Sequence, residues 1–580
     1  MHQTDSRAPR TVIVGGVAGG MSAATRLRRL DERREIVVLE RSGAVSFANC
    51  GLPYHVSGVI ADRDGLALQT PERLAERFRI DARTHREAVA IDRGAKTVTV
   101  RPVRPDAGGP DEILRYDELV LSPGATPRLP GRVAAGAPVF ALRTLDDLDE
   151  IMAALDAVER APGARPARAV VLGGGYIGVE VADNLHRRGF ATTIVQRSAQ
   201  LLPGFDPEMA APLVEHVRGR GVDVRLGREA TAVDLERAGS RTGLVVLDDG
   251  SSLAADVVIA AMGVVPEVGL AVAAGLELGA SGGIAVDEHH RTSDPAIFAV
   301  GDAAEKRDAV DGSGRLVALA GLANRHGRAV ADVIAGAPAP TRAALGTAIV
   351  DVLGLTAAMT GWSEATAAAR GRRVRVIHTH PFSHATYFPG AAPMSLKLVV
   401  DADTDRILGA QAVGTDGVDR RIDVIATAMS AGLAAGDLAD LELAYAPQYG
   451  QAKDPVNLLG AIDRNLADGF DRTIQWHELD DAIAAGAVFL DVRAEGQLAE
   501  GTIPGATWIP VEALRDRHLE FAGRPVVVHC RVGQGAHTAA RLLAELGHDV
   551  VNLDGGYLTW RAGRLARQHA AEAADAARAA

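Results

Sequence analysis

The chain has two cysteines, Cys50 and Cys530, and each lies beside glycines where a strand or loop is expected to meet a helix. A thiolate can attack sulfur or carry it, whereas a thiol buried among apolar groups is inert. Two cysteines cannot form a disulfide framework in a chain of 580 residues, so the sequence indicates a reducing compartment. Buried, inert thiols are the commoner case for an arbitrary cysteine, but the glycine-rich surroundings favour reactive ones here.

Cys50 stands in the segment S-F-A-N-C-G-L-P-Y, residues 46–54. Pro53 suits the first turn of a helix, so we expect Cys50 at or just before a helix N-terminus, where the dipole favours a thiolate. Disulfide reductases that use two redox cysteines place them five positions apart, but here those positions hold Val45 and His55. The oxidised form of Cys50 must therefore be a mixed disulfide with a small thiol, a persulfide or a sulfenic acid.

Cys530 follows P-V-V-V-H, residues 525–529, which predicts a buried strand. The loop C-R-V-G-Q-G, residues 530–535, comes next, and then a helix from Ala536 to Leu546. A cysteine in such a loop lies among backbone N–H groups, which stabilise a thiolate or a bound persulfide.

Two segments of the chain have the pattern of a strand, a glycine-rich loop, a helix and a second strand, and they are candidates for holding cofactors near the two cysteines. The first runs from strand 11–15 through G-G-V-A-G-G to strand 36–39, which ends at Glu40. The second begins about 158 residues later with G-G-G-Y-I-G and ends at Gln196. One glycine fingerprint is weak, but two complete contexts predict two dinucleotide sites, in which the glycines allow close backbone approach and the helix N-terminus faces the pyrophosphate. Two ordinary glycine-rich loops are the alternative.

A third segment, I-F-A-V-G-D-A at 297–303, is predicted to be a strand that ends in Gly-Asp and enters a helix, and it resembles the second FAD segment of two-dinucleotide flavoproteins. We therefore expect a discontinuous FAD domain with the second nucleotide domain inserted into it. The predicted cofactor-binding residues are Gly15, Gly16, Ala18, Gly19, Gly20, Glu40, Arg41, Gly124 and Asp302 for FAD, and Gly173, Gly175, Tyr176, Ile177, Gly178, Gln196 and Arg197 for NAD(P)H. Gln196 and Arg197 stand where a carboxylate would reject a 2′-phosphate, so we expect NADPH to be used.

Three motifs together, S-F-A-N-C-G-L-P-Y, G-G-V-A-G-G-M-S-A-A and Y-A-P-Q-Y-G-Q-A-K-D-P-V-N, resemble the coenzyme A-disulfide reductase family over residues 11–465. The resemblance implies that Cys50 is the redox nucleophile beside the flavin. It also implies a homodimer in which two tyrosines and a lysine of the later domain reach the partner's site. The implied substrate-binding residues are Ser22, Arg26, Arg29, Ser46, Asn49, Tyr387, Tyr445 and Lys453. A solvated helix face is the alternative for the two arginines, and core or interface packing for the two tyrosines.

The last hundred or so residues resemble rhodanese domains in L-D-V-R (490–493), G-T-I-P-G-A (501–506) and D-G-G-Y (554–557). The whole chain thus resembles the fused coenzyme A-disulfide or persulfide reductases. Gly535 and Thr502 replace the arginine and histidine that many rhodaneses have, which puts thiosulfate sulfurtransferase activity in question. Cys530 itself argues for retained sulfur chemistry.

The predicted fold class is α/β, with two Rossmann-like domains, an α+β dimerisation domain after a Pro/Ala linker, and a C-terminal α/β rhodanese domain. The expected bounds are 9–145 with 266–337 for FAD, 146–265 for NAD(P)H, 338–465 for dimerisation, 466–565 for rhodanese, and 566–580 for an Ala/Arg-rich tail forming a solvated helix.

The net charge of −12 argues against nucleic-acid binding, and no apolar run reaches the roughly 20 residues that span a bilayer. We expect a cytoplasmic protein. His378, His380 and His384 have no helical ligand spacing and no evident acidic partner, so we expect no metal site.

The leading functional hypothesis is an FAD-dependent NAD(P)H reductase of coenzyme A disulfide, coenzyme A persulfide or polysulfide, with coenzyme A as substrate or bound ligand. One alternative is an NADH oxidase or peroxidase that uses Cys50 as a sulfenic acid. Another is a non-catalytic sulfur or redox sensor. Turnover with NAD(P)H distinguishes the enzyme from the sensor.

Overall fold

The computed structural model describes residues 7–103, 109–160, 165–237 and 241–578. The chain divides into two compact units, Met1–Val195 with Ala230–Gly346, and Gln196–Glu229 with Thr347–Ala580. The α-helices are α1 (Ala18–Leu30), α2 (Leu52–Val56), α3 (Pro71–Phe78), α4 (Leu145–Glu159), α5 (Tyr176–Arg187), α6 (Pro207–Gly219), α7 (Gly269–Ala273), α8 (Ala320–Ile334), α9 (Glu364–Ala369), α10 (Val418–Ala431), α11 (Pro455–Ala467), α12 (Leu479–Ala484), α13 (Leu514–Arg517), α14 (Gln534–Glu545) and α15 (Gly556–Arg578). None of the helices in these ranges is both long and apolar enough to cross a bilayer.

The strands up to residue 315 are β1 (Arg10–Val14), β2 (Glu35–Leu39), β3 (Ile80–Arg83), β4 (Arg86–Asp92), β5 (Thr97–Pro102), β6 (Glu112–Arg115), β7 (Glu118–Leu121), β8 (Ala125–Pro127), β9 (Arg132–Val133), β10 (Val139–Phe140), β11 (Arg168–Leu172), β12 (Ala191–Gln196), β13 (Asp223–Leu226), β14 (Ala230–Leu235), β15 (Gly243–Leu247), β16 (Ser252–Ala255), β17 (Val257–Ala260), β18 (Val264–Pro266), β19 (Ile297–Ala299), β20 (Lys306–Arg307) and β21 (Gly314–Arg315). The remaining strands are β22 (Ala348–Val352), β23 (Leu355–Gly361), β24 (Val374–Thr379), β25 (Met394–Asp401), β26 (Ile407–Gly414), β27 (Thr473–Ile474), β28 (Val488–Asp491), β29 (Thr507–Trp508), β30 (Val526–His529) and β31 (Val550–Leu553).

The first unit contains a parallel sheet in the order β19-β7-β1-β2-β3. Its strands are apolar on both faces, as expected of a parallel sheet covered on both sides. Val12 and Val37 join one core cluster, while Ile13 and Val38 join another that includes helix α1. Because β19 comes from a much later segment, this sheet joins two separate stretches of the chain.

A second parallel sheet of the first unit has the order β10-β17-β11-β12. Strand β11 leads through the second glycine loop into α5. The two predicted strand–loop–helix–strand patterns are therefore both present. The short strand at 297–299 does not enter an α-helix, however: it is followed by a 3₁₀ turn, Gly301–Ala303, and the next α-helix begins at Ala320.

The second unit has an antiparallel sheet, β22-β23-β26-β25-β24, covered by α10 and α11. It also has a parallel sheet, β27-β31-β30-β28-β29, against which α14 packs through residues such as Leu543. The tail from residue 566 was expected to be a solvated helix. It continues α15, and its residues His569 and Ala573 are buried against α6 and β13, so that expectation was wrong in part.

Candidate functional site

The first glycine loop leaves no room for side chains where its backbone turns. Gly15 has φ +99°, and a Cβ there would lie 1.9 Å from the carbonyl oxygen of Ser122. A Cβ on Gly20 would lie 1.9 Å from the carbonyl oxygen of Gly15. Helix α1 begins at Ala18, with no side chain capping its first amides. The loop therefore presents bare backbone and a helix N-terminus, which suits a pyrophosphate.

Glu40, a buried residue, directly follows β2. It accepts hydrogen bonds from the backbone N–H of Gly16 at 2.8 Å, the N–H of Ser42 at 2.9 Å and the Ser42 hydroxyl at 2.8 Å. This fixes an anionic acceptor beside the glycine loop, where the ribose of a dinucleotide is expected. The next residue, Arg41, is half-exposed and lies 3.8 Å from the Glu267 carboxylate.

Asp302 lies in the turn after β19, and its carboxylate is 3.2 Å from the guanidinium of Arg143. Lys306 donates from its ammonium to the carbonyls of Gly301 and Ala304. Burial lowers the pKa of Lys306 to about 8, against the charge of Asp302. Gly124, with φ +77°, packs its backbone near the same arginine. The turn that contains Gly301 and Asp302 is thus surrounded by charged side chains, those of Arg143 and Lys306.

The second glycine loop repeats the tight geometry of the first. A Cβ on Gly173, where φ is +105°, would lie 2.2 Å from the carbonyl oxygen of Ala261, and one on Gly178 would lie 1.9 Å from that of Gly173. Gly175 caps α5, and Ile177 in its first turn is 40% exposed. The buried hydroxyl of Tyr176 has no hydrogen-bond partner among the described residues, and burial raises its pKa.

In the second unit, Gln196 donates to the Ser198 hydroxyl and accepts from the Arg228 backbone N–H at 3.1 Å. The Arg197 side chain is 80% exposed, and its guanidinium lies 3.8 Å from the Glu229 carboxylate. This weak, solvated ion pair leaves Arg197 available to another anion.

Cys50 lies in a 3₁₀ turn, Asn49–Gly51, directly before α2, and it is solvent-exposed. The expected position before a helix that carries Pro53 in its first turn is therefore confirmed. The structure does not support the expected thiolate, because partial desolvation and the negative charge of Glu180 raise the pKa of the Cys50 thiol. Helix α2 has only five residues, so its dipole is too small to reverse these effects.

Glu180 was missed by the sequence reasoning. It lies on α5, accepts a hydrogen bond from the Tyr54 hydroxyl at 3.2 Å, and has its own pKa raised by burial. A glutamate two residues after Gly178 in an otherwise apolar helix turn was the available signal. A titratable residue with a shifted pKa, hydrogen-bonded to a tyrosine beside an exposed thiol, is a candidate functional group.

Substitution Glu180→Gln should lower the pKa of Cys50, because it removes the nearby negative charge while keeping the shape of the side chain. The check is the pH dependence of iodoacetamide alkylation of Cys50 in the holoenzyme, which should move to lower pH. Glu76→Gln, at an exposed position on α3, is the matched control and should leave the curve unchanged. An unshifted curve for Glu180→Gln would contradict this role.

The other predicted substrate residues of the first unit have defined partners. Asn49 donates from its amide to the Arg143 carbonyl at 2.8 Å, and Ser46, with φ +49°, lies in the preceding turn. The Ser22 hydroxyl donates to Asn324 at 2.7 Å. Arg26 is paired with Asp332 at 2.7 Å and is only partly exposed, whereas Arg29 is exposed. The two arginines therefore do not form one equally available basic face.

Tyr387 and Tyr445, in the second unit, are joined through their hydroxyls at 2.9 Å. They are 74% and 48% exposed, so core packing does not account for them. Tyr449 is 68% exposed, and Lys453 is exposed just before α11. A linked pair of exposed tyrosines suits an interface or a ligand.

Cys530 directly follows β30 and is buried, with the loop 531–533 leading into α14. A Cβ on Gly535 would lie 3.5 Å from the Cys530 sulfur, so this glycine leaves space beside the thiol. The Arg531 guanidinium is paired with Glu500 at 2.8 Å, and Thr502 follows Glu500 by two positions. The loop thus carries a cysteine, a neighbouring cation and an open position next to the sulfur.

Two buried acid–base contacts in the second unit were not foreseen. The Lys397 ammonium lies 3.0 Å from Asp206, 2.5 Å from Glu208 and 2.7 Å from Glu364, so a buried cation already occupies the space among these three carboxylates. His378, for which no acidic partner was evident, contacts both Glu208 and Asp554. The sequence therefore did not reveal the acidic partners of His378.

Family models match most of the chain. The pyridine nucleotide-disulphide oxidoreductase model covers residues 9–327, its dimerisation domain covers 347–454, and a rhodanese-like domain covers 475–563. A coenzyme A disulfide reductase of Staphylococcus aureus strain JH9 is 32% identical over 453 residues, which are 78% of this chain and 99% of that protein.

Two solved structures resemble the chain over nearly its whole length. The reduced CoADR-RHD of Bacillus anthracis is 42% identical with a TM-score of 0.92, covering 97% of this chain and 99% of that one. An NAD-dependent persulfide reductase from A. fulgidus is 34% identical with a TM-score of 0.87, covering 95% of this chain and 100% of that one. The chain belongs to the pyridine nucleotide-disulphide oxidoreductase family, with that family's dimerisation domain and a C-terminal rhodanese-like domain.

Proposed function

We propose that the protein uses NAD(P)H and FAD to reduce coenzyme A disulfide, coenzyme A persulfide or polysulfide through the single nucleophile Cys50. The observation that carries this proposal is the exposed thiol in the turn before α2, with the chain's other cysteine buried in the rhodanese-like loop. Relatives named as a coenzyme A disulfide reductase and an NAD-dependent persulfide reductase support the substrate class.

FAD fits the first unit. The loop at Gly15–Gly20 has no space for side chains, and Glu40 offers a buried carboxylate at the end of β2. Asp302 and Gly124 would complete the set near the other end of the cofactor. Bound FAD supplies the two-electron chemistry that links a nicotinamide to a disulfide. Gly173 and Gly178 would admit the nicotinamide dinucleotide in the second loop.

The proposed reaction begins with the Cys50 thiolate attacking the coenzyme A-bound sulfur of the substrate. The S–S bond of the substrate breaks, sulfide or coenzyme A leaves as a thiolate, and a Cys50–coenzyme A mixed disulfide forms. The two electrons and one proton equivalent of an NAD(P)H hydride then cleave this disulfide to the Cys50 thiolate and coenzyme A thiol. Between these steps, the hydrogen-bonded pair of Tyr54 and Glu180 would hold or supply a proton beside Cys50.

A steady-state panel with the purified holoenzyme tests the proposal. Coenzyme A disulfide, coenzyme A persulfide, polysulfide, glutathione disulfide, oxygen and hydrogen peroxide are compared as oxidants of NAD(P)H. We expect the highest kcat/KM for a coenzyme A substrate or polysulfide. A preference for oxygen or peroxide would instead establish the oxidase or peroxidase, and no turnover with any oxidant would leave a sensor.

We expect NADPH to be used with a kcat/KM no more than about a thousandfold, or roughly 4 kcal/mol, below that of NADH. The reason is that Gln196 and Arg197 end β12 without a carboxylate to repel the 2′-phosphate, and Arg197 is exposed. Arg197→Glu should reduce the use of NADPH while sparing NADH. Arg225→Glu, at another exposed arginine of the second unit, is the control. Exclusive use of NADH by the wild type would contradict the assignment.

The dimerisation domain supports a homodimer. We propose that Tyr387, Tyr445 and Lys453 contribute to a site completed by the partner subunit, which would explain why two linked tyrosines are exposed in the single chain. Ser22, Arg26, Arg29, Ser46 and Asn49 remain the proposed coenzyme A contacts of the first unit.

A further inference from the structure

His378, on β24, is almost wholly buried between two carboxylates. Its Nδ1 lies 2.7 Å from Asp554 and its Nε2 lies 3.1 Å from Glu208. Its backbone N–H also donates to both Asp554 oxygens, at 3.1 and 3.0 Å. A neutral imidazole has one N–H, and an ionised carboxylate can only accept a hydrogen bond. Both contacts are therefore satisfied together only by an imidazolium.

Other charged groups face the same place. Lys397, the cross-strand neighbour of His378 on β25, has its ammonium among Asp206, Glu208 and Glu364. His380 is also buried, and burial and the surrounding cations His378, Arg531 and Arg561 lower its pKa to about 3, so it stays neutral. Three carboxylates thus face Lys397, and Asp554 and Glu208 face His378, so a second cation at His378 reduces the mutual repulsion of these four carboxylates.

Asp554 opens the segment on which the Cys530 loop rests. The backbone N–H of Tyr557 donates to the Cys530 carbonyl at 2.9 Å, and that of Leu558 donates to the Arg531 carbonyl at 3.1 Å. A Cβ on Gly556 would lie 2.5 Å from the Cys530 carbonyl oxygen, so backbone packs directly on the loop. A shift of Asp554 would therefore move the support of the cysteine.

We propose that His378 is a positioning residue for Cys530: as an imidazolium it holds Asp554, and through the 554–558 segment it keeps the sulfur-carrying loop in its working conformation. The proposal rests on the proposed function for its activity test, because Cys530 is taken to carry sulfur destined for reduction at Cys50. It assigns to the sheet of the dimerisation domain a direct part in the rhodanese step.

The pH dependence follows from the same contacts. Burial alone would lower the pKa of His378, but the charge and hydrogen bonds of Asp554 and Glu208 outweigh it and raise the pKa to about 9. A group whose pKa is raised on folding contributes its full stabilisation below its unfolded value, about 6.5 here, and loses it as the pH rises through the folded value. The ion pair by which His378 holds Asp554, called the clamp below, should therefore weaken between about pH 6.5 and about pH 9.

The test compares two rates in the holoenzyme across this range. One is NADPH-dependent reduction of polysulfide, which uses both cysteines, and the other is reduction of coenzyme A disulfide, which uses Cys50. The ratio of the two rates should fall in the wild type as the pH rises. In His378→Gln and Asp554→Asn it should already be lower at neutral pH, by about tenfold, since a hydrogen bond to a charged group is lost, and it should vary little with pH. His477→Gln, at an exposed histidine of the rhodanese-like domain, should behave like the wild type.

Hydrogen exchange measured by mass spectrometry gives a readout that needs no activity. Protection factors of peptides within 526–560 should fall with rising pH in the wild type, and at neutral pH they should be about tenfold lower in His378→Gln than in His477→Gln. Unchanged protection and a wild-type rate ratio in His378→Gln would overturn the proposal. Changed protection in an enzyme that reduces no coenzyme A substrate would support the clamp and reject the proposed function. Lost protection throughout the chain would show a general folding role and would also overturn it.

Discussion

Cys50→Ser should abolish NAD(P)H-dependent reduction of coenzyme A disulfide and coenzyme A persulfide, lowering kcat by more than about a thousandfold. A serine hydroxyl cannot form the mixed disulfide. No second cysteine can replace it, because the positions five residues before and after Cys50 hold Val45 and His55. Bound FAD should be retained, because the glycine loop and Glu40 that would hold it are untouched. Anaerobic NADPH oxidation and the visible absorption spectrum are the two measurements.

Cys530→Ser is the matched control for this prediction, since it removes the chain's other thiol. It should reduce coenzyme A disulfide at the wild-type rate. Residual disulfide reduction in Cys50→Ser above a few per cent of the wild type would mean that another group accepts the electrons, and the assignment of Cys50 would be wrong.

Cys530→Ser should lower the rate with polysulfide or inorganic sulfur donors by about tenfold or more while sparing directly supplied coenzyme A persulfide. Cys530 directly follows β30 in the loop that leads into α14, and Gly535 leaves space next to its sulfur. Backbone amides of such a loop are expected to suit a persulfide. We expect it to load sulfur and hand it to coenzyme A for delivery to Cys50.

The measurement is sulfide release with each donor at equal concentration. Thr538→Ala, a change on the exposed face of α14, serves as the control for effects on the domain itself. Equal polysulfide rates in Cys530→Ser and the wild type would show that the rhodanese-like domain lies off the catalytic path.

The sequence was informative where chemistry depends on local structure. A Cβ on Gly20 or Gly178 would meet the carbonyl oxygen of the glycine five residues earlier, a local geometry that the fingerprint encodes. The position of Cys50 before a helix followed from Pro53 in the same way. Short-range patterns of this kind survive folding with little dependence on the rest of the chain.

The sequence was uninformative where function depends on distant partners. The carboxylates of His378 come from positions 170 and 176 residues away, so no spacing rule could reveal them. Arg26 pairs with Asp332, which is 306 residues away, so the sequence could not show this contact either. The dipole argument for Cys50 failed because neither the length of α2 nor the approach of Glu180 can be read from the segment around the cysteine.

The most direct test of the central claim is to find the mixed disulfide. The holoenzyme is oxidised anaerobically with coenzyme A disulfide, digested without reductant and analysed by mass spectrometry. We predict coenzyme A on the peptide that contains Cys50, in one copy per subunit, and its release as free thiol on addition of one equivalent of NADPH. An unmodified Cys50 peptide, or coenzyme A found only on the Cys530 peptide, would contradict the account.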